Sequence, residues 1–228
     1  MPDEDTKDGF KKIDELFKRE ILVDKKLHNL LQPFFTTEKE RGEFIKKCLT
    51  QIRTRRMLLR LQWFSEVADD LEKIKANRPA LKLIFVMAMA EGLTKQEFGK
   101  KIHSKDAIKI FFGYTSQADK NILVRGFKRA LTSAATPQLR FSSIIKILYE
   151  VRNKAVHGED FWSFFFLTKK EKEEFIKDGY TDYGLMTAGY LGRKNKKRVS
   201  LDLTLTYEEF RDVIIRTAIA NIRSFFKK

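Results

Sequence analysis

The 228-residue chain has little of what usually staples, breaks or anchors a fold: one cysteine, four prolines and 11 glycines. Cys48 stands alone and cannot form an internal disulfide, which fits a reducing cytosol and argues against a cysteine-based zinc site. So few Pro and Gly leave little room for linkers, and a single domain over 1–228 is expected. No stretch reaches the roughly 18 uninterrupted apolar residues that a membrane-crossing helix needs. The longest, Leu83 to Ala90, is bounded by Lys82 and Glu91. Met1-Pro2-Asp3-Glu4-Asp5 is acidic and lacks the apolar stretch of a signal peptide, so a cytoplasmic location without a membrane partner is expected. The phosphate loop Gly-x4-Gly-Lys-Ser/Thr, Gly-x-Gly-x-x-Gly, Gly-x-Ser-x-Gly and His-Glu-x-x-His are all missing. Neither a cofactor nor a metal site is recognisable.

A hydrophobic fraction of 43% with 20 Phe supplies a substantial core, and its periodicity is mostly helical. Phe10, Ile13, Leu16, Phe17 and Ile21 share one face of an N-terminal helix expected to continue to Leu31 and stop near Pro33. A second helical region is expected from Glu38 to Ala76, with a break near Thr54. An apolar helix follows Pro79 and ends at Gly92, and Thr94 with Glu97 reads as a capping box opening a short helix through Ile102. Further helices are expected from Ser116 to Leu131 and from Gln138 to His157. Then the pattern changes: Val199, Leu201, Leu203 and Leu205 alternate with polar residues, as in a half-buried strand. Paired with the Tyr183 to Leu191 stretch, this predicts a hairpin over about 182–206. Thr206 and Glu209 form another capping box, opening a helix with the stripe Phe210, Val213, Ile214, Thr217, Asn221 and Phe225. The fold class is mainly α, a helical bundle with a small C-terminal β-hairpin insertion.

The charge balance is one-sided: a net +15 and a sequence pI of about 9.8 favour association with polyanions. The excess gathers in two clusters. One holds Lys46 and Lys47 with Arg53, Arg55, Arg56 and Arg60; the other is the expected hairpin turn, Arg193, Lys194, Lys196, Lys197 and Arg198. Ordinary solvated faces account for such runs as readily as phosphate contacts do, but clustered cations that neutralise phosphates release counterions and so bind nucleic acid.

The segment with most chemical content is Leu148-Tyr149-Glu150-Val151-Arg152-Asn153-Lys154-Ala155-Val156-His157-Gly158. It sets a forked, permanently charged guanidinium beside an imidazole able to exchange a proton near neutral pH. Those parts suit the binding or cleavage of a phosphodiester. A structural reading also fits, because Lys154 and His157 in a last helical turn before Gly158 make an ordinary helix C-terminus. Sixteen Arg and three His give roughly 0.2 Arg-x4-His matches by chance. Neither His28 nor His103 has an Arg five positions upstream.

Arg-Asn-x-x-x-His-Gly at the end of an apolar helical segment resembles the signature of the HEPN superfamily (higher eukaryotes and prokaryotes nucleotide-binding domains). Arg152, Asn153 and His157 match that motif one for one, and Leu81 to Leu93 is similar to the apolar family helix with one embedded acidic residue, here Glu91. Together they cover about 78–160. The resemblance implies a HEPN-like helical bundle acting as a metal-independent endoribonuclease, possessing no cofactor and serving a toxin or antiviral defence role, with an antitoxin or regulatory protein as a partner. In such a reaction the ribose 2′-OH attacks the phosphorus. His157 would transfer the proton, Arg152 would hold the scissile phosphate, Asn153 would orient the ribose or phosphate, and Glu91 would pair with Arg152. Positions 152 and 157 lie about 140° apart on a helix, and family members commonly join two motifs across a homodimer, so a homodimeric RNA cleft is expected. Two alternatives stay open: a catalytically inactive HEPN-like regulatory or nucleotide-binding scaffold, and a helix-turn-helix-type DNA-binding protein suggested by Leu93 to Ile102.

Overall fold

The computed structural model describes residues 4–74, 79–98, 102–129, 139–156, 166–178, 185–192 and 195–227, and they are mainly helical. The expected N-terminal helix is divided in two, α1 (Glu4–Val23) and α2 (Lys25–Leu31). The break falls at Asp24, whose carboxylate accepts from the backbone N–H of Lys26 at 2.8 Å and of Leu27 at 3.3 Å. An Asp that caps the helix behind it competes with continuation of the helix before it. The stripe on α1 also departs from expectation: Ile21 is buried, whereas Ile13, Leu16 and Phe17 are exposed. Part of what ties α1 to the bundle is polar, since Arg55 Nη1 donates to Asp14 Oδ1 at 2.5 Å.

Thr37 caps α3 (Glu38–Leu49), and α4 (Ile52–Ile74) follows. The chain breaks at 50–51, a few residues before the expected position, and Thr54 makes that junction: its hydroxyl donates to the Cys48 carbonyl at 2.7 Å. Cys48 itself is fully buried, and burial pushes its thiol far above the ordinary range, so it is unreactive.

The apolar helix α5 (Pro79–Phe98) does not end at Gly92 but runs six residues further. Thr94 therefore sits inside a helix, where its hydroxyl donates back to the Ala90 carbonyl at 3.2 Å instead of capping a new one. Helix α6 (Ser104–Gly113) follows, then α7 (Gln117–Gly126), capped by Ser116 as expected but five residues shorter. The motif segment lies on α8 (Phe141–Val156). Helix α9 (Lys169–Asp178) carried no expectation, while α10 (Tyr207–Arg223) opens with the expected Thr206–Glu209 capping box. Its whole stripe from Phe210 to Phe225 is buried. Backbone pairing sets β1 (Phe127–Arg129) antiparallel to the end of β3 (Asn195–Leu203), and β3 antiparallel to β2 (Leu185–Gly192).

One feature of the α7–β1 junction demands glycine. A Cβ at Gly126 would lie 2.2 Å from Leu205 Cγ, and the Gly126 carbonyl accepts from Thr204 N–H at 2.9 Å. The backbones meet there because position 126 has no side chain.

Helix α5 is apolar nearly all round and sits against α4, α6, α8 and α10, with Leu83, Val86, Met87, Met89, Ala90 and Leu93 buried. A carboxylate on such a helix meets the bundle rather than open water, and Glu91 is that carboxylate. Among the described residues no helix is long and apolar enough to cross a membrane.

Candidate active site

Glu91 emerges from α5 where α4 and α8 converge on it. Its Oε2 accepts from Arg152 Nη2 at 3.2 Å, so the two residues joined by sequence reasoning are in contact. The carboxylate does more than meet one arginine. Its Oε1 accepts from Lys95 Nζ at 2.5 Å, one turn along α5, and from Ser104 Oγ at 2.6 Å, at the start of α6. With 13% of its side chain exposed, Glu91 needs these partners to stay ionised. Burial alone would raise its pKa, but the hydrogen bonds from Lys95 and Ser104, with the charges of Lys95 and Arg152, outweigh burial. They hold the carboxyl below its ordinary value of 4.5.

Arg152 is fixed from two sides. Nη2 goes to Glu91, and Nη1 donates to the side-chain oxygen of its neighbour Asn153 at 2.9 Å. Asn153 therefore acts on the guanidinium in this arrangement. Arg152 Nε is buried and has no hydrogen-bond partner among the described residues. A guanidinium held at two of its nitrogens keeps one orientation, which is what stabilising a developing phosphorane charge requires.

Glu91, Lys95 and Arg152 line a cavity of about 370 Å³ shared by α4, α5 and α8. Arg60, Trp63 and Phe64 of α4 line it as well. Arg60 Nη1 donates to the Gly92 carbonyl at 2.9 Å, and a Cβ at position 92 would lie 2.9 Å from that same nitrogen. Gly92 thus leaves the space that the Arg60 guanidinium occupies. Three cations, Arg60, Lys95 and Arg152, face a single carboxylate in the cavity wall, which is therefore net positive and has an aromatic side.

The other candidate residues divide. His157 lies outside the described residues, one position beyond the end of α8 at the half-exposed Val156. Arg193 and Lys194 also lie outside them, as do the side chains of Lys196, Lys197 and Arg198. In the first basic cluster Arg55 pairs with Asp14 and is 12% exposed, so it ties α1 to α4. Arg53 lies 5.8 Å over the Phe225 ring and Arg56 is exposed. Of that cluster only Arg60 reaches the cavity. Sequence reasoning missed Trp63, Lys95 and Ser104 as its neighbours. Arg60 and Trp63, three apart, and Glu91 and Lys95, four apart, carried a usable signal of shared helix faces; nothing in the sequence joined Ser104 to Glu91.

The account of Glu91 makes a prediction about stability. Because the folded carboxyl titrates below 4.5, its contribution is complete above that value and is lost as pH falls through the folded pKa. Glu91→Gln should therefore cost about 1–3 kcal/mol at pH 7, and the gap to the wild type should narrow at pH 3. Urea unfolding at both pH values measures it. An equal gap at both would mean that the carboxylate charge contributes nothing to holding α5, α6 and α8 together.

Compared with known proteins, the chain matches no family model, no curated protein and no solved structure.

Proposed function

We propose that the protein is a HEPN-like, metal-independent endoribonuclease acting at the Arg152 cavity, with the hairpin over about 182–206 as an appendage to the bundle. The observation that carries this reading is the Arg152 guanidinium, oriented by Glu91 and Asn153 in the wall of a net positive cavity with an aromatic side. In the proposed reaction the ribose 2′-oxygen attacks phosphorus and loses its proton to a base. The bond from phosphorus to the 5′-oxygen breaks, and that oxygen takes up a proton as it leaves. His157 is the residue assigned to proton transfer. Arg152 stabilises the charge that builds on the phosphorane oxygens. A second copy covering this end of α8, where the apolar Val156 is half-exposed, would bring a second motif to a shared cleft.

Purified protein incubated with RNA in EDTA should leave 2′,3′-cyclic phosphate and 5′-OH ends. Replacing the scissile 2′-OH with hydrogen should abolish cleavage while binding persists, since that hydroxyl is the nucleophile. Cleavage that continues on the deoxy substrate, or that needs added Mg²⁺, would overturn the mechanism. Binding without any turnover would instead favour the scaffold reading.

A further inference from the structure

We propose that Arg60 and Trp63 form a nucleotide subsite in which one base of single-stranded RNA stacks on the Trp63 indole while Arg60 holds the adjoining phosphate. The inference rests on the ribonuclease reading of the same cavity and assigns it a second wall. Trp63 is 56% exposed although it lines the cavity, an unusual place for the largest apolar side chain unless something covers it. Its ring contacts that of its neighbour Phe64 edge-on, with centroids 4.6 Å apart and planes at 70°. An indole held by one neighbour and open to solvent is a stacking platform, and it tolerates any base because every base has a π-face.

Arg60 lies one turn before Trp63 on α4, so the two share a face. Its Nη1 is occupied by the Gly92 carbonyl. That single anchor sets the direction of the guanidinium while leaving further N–H groups for a phosphate, which a planar fork receives well. Arg152 faces the same space from α8, bound to Glu91 through one nitrogen and to Asn153 through another. Two guanidiniums from different helices line one cavity with an indole beside one of them, a set of groups suited to phosphates and the nucleoside between them. A free phosphate would have no use for the indole in that position.

The sequence contains two tryptophans, Trp63 and Trp162. In full-length protein carrying Trp162→Phe, the remaining indole emission should be quenched when an uncleavable single-stranded oligonucleotide, made of 2′-O-methyl RNA, is added. Trp63→Ala should weaken binding of that oligonucleotide by about 5- to 150-fold, and Trp63→Phe should restore most of it. Arg60→Met keeps the side-chain stem and removes the charge, so it should reduce the slope of log affinity against log salt by about 0.7. An oligonucleotide abasic at every position should bind wild type and Trp63→Ala equally. If the oligonucleotide binds without quenching and Trp63→Ala binds as tightly as wild type, the subsite is wrong, whatever becomes of the nuclease. If quenching and its loss follow Trp63 but intact RNA is never cut, the subsite stands and the nuclease reading falls.

Discussion

Arg152→Ala and His157→Ala are each expected to slow RNA cleavage by about 100-fold or more, the usual consequence of deleting an electrostatic stabiliser or an acid–base group. The Arg152 variant separates chemistry from architecture well. Glu91 loses its partner on α8 but keeps Lys95 at 2.5 Å and Ser104 at 2.6 Å, so the carboxylate is not left bare, and the packing of α5 against α8 still holds those helices together. Circular dichroism and the melting transition should accordingly stay close to wild type while single-turnover cleavage collapses. Arg152→Lys should not rescue the rate, because an ammonium has a single nitrogen and cannot hold Glu91 and Asn153 through two nitrogens while turning a remaining terminal N–H to a phosphate. Wild-type cleavage rates in both alanine variants would remove this segment from the chemistry.

The Glu91 to Arg152 contact was legible in the sequence only through the family resemblance. Composition and period placed α5 and α8 as helices with apolar faces, but the pairing of one acidic residue with one arginine came from the resemblance. What the sequence could not convey is that Glu91 serves two further partners and that α4 also lines the cavity. Those contacts join residues 32 and 13 positions apart, Arg60 to Gly92 and Ser104 to Glu91, and no local period encodes them. The errors in element boundaries have a common origin. Asp24, Thr54 and Thr94 are short polar side chains that bond either forward to cap a helix or back to a carbonyl within it, and only tertiary packing decides which. Asp24 capped and broke a helix expected to be continuous; Thr94 turned back on Ala90 inside a helix expected to stop. At Thr206 the local and tertiary demands agreed, because Glu209 returns the bond to the Thr206 N–H, and α10 begins where the sequence says.

Asp119→Ala is expected to destabilise the fold by about 3 kcal/mol, lowering the melting temperature by roughly 6–12 °C for a chain of this size. Asp119 lies in the first turn of α7 and its side chain is only 7% exposed. One carboxylate oxygen accepts from Arg216 of α10, through Nε at 2.9 Å and Nη2 at 2.7 Å; the other accepts from Ser116 Oγ at 2.8 Å. Its negative charge also faces the positive end of the α7 dipole. Alanine removes all of these together. The loss stays below the upper end seen for broken buried pairs because Arg216 is 39% exposed and can turn to water when its acceptor is gone. Thr115 and Thr217, hydrogen-bonded at 3.1 Å beside the same junction, should keep α7 and α10 in register. The ion pair itself is isolated by a double-mutant cycle with Arg216→Ala, in which the double variant should be less destabilised than the sum of the singles by about 1 kcal/mol or more. Strict additivity would mean that Asp119 acts only through Ser116 and the helix end, and that α10 is held to α7 by its apolar stripe alone.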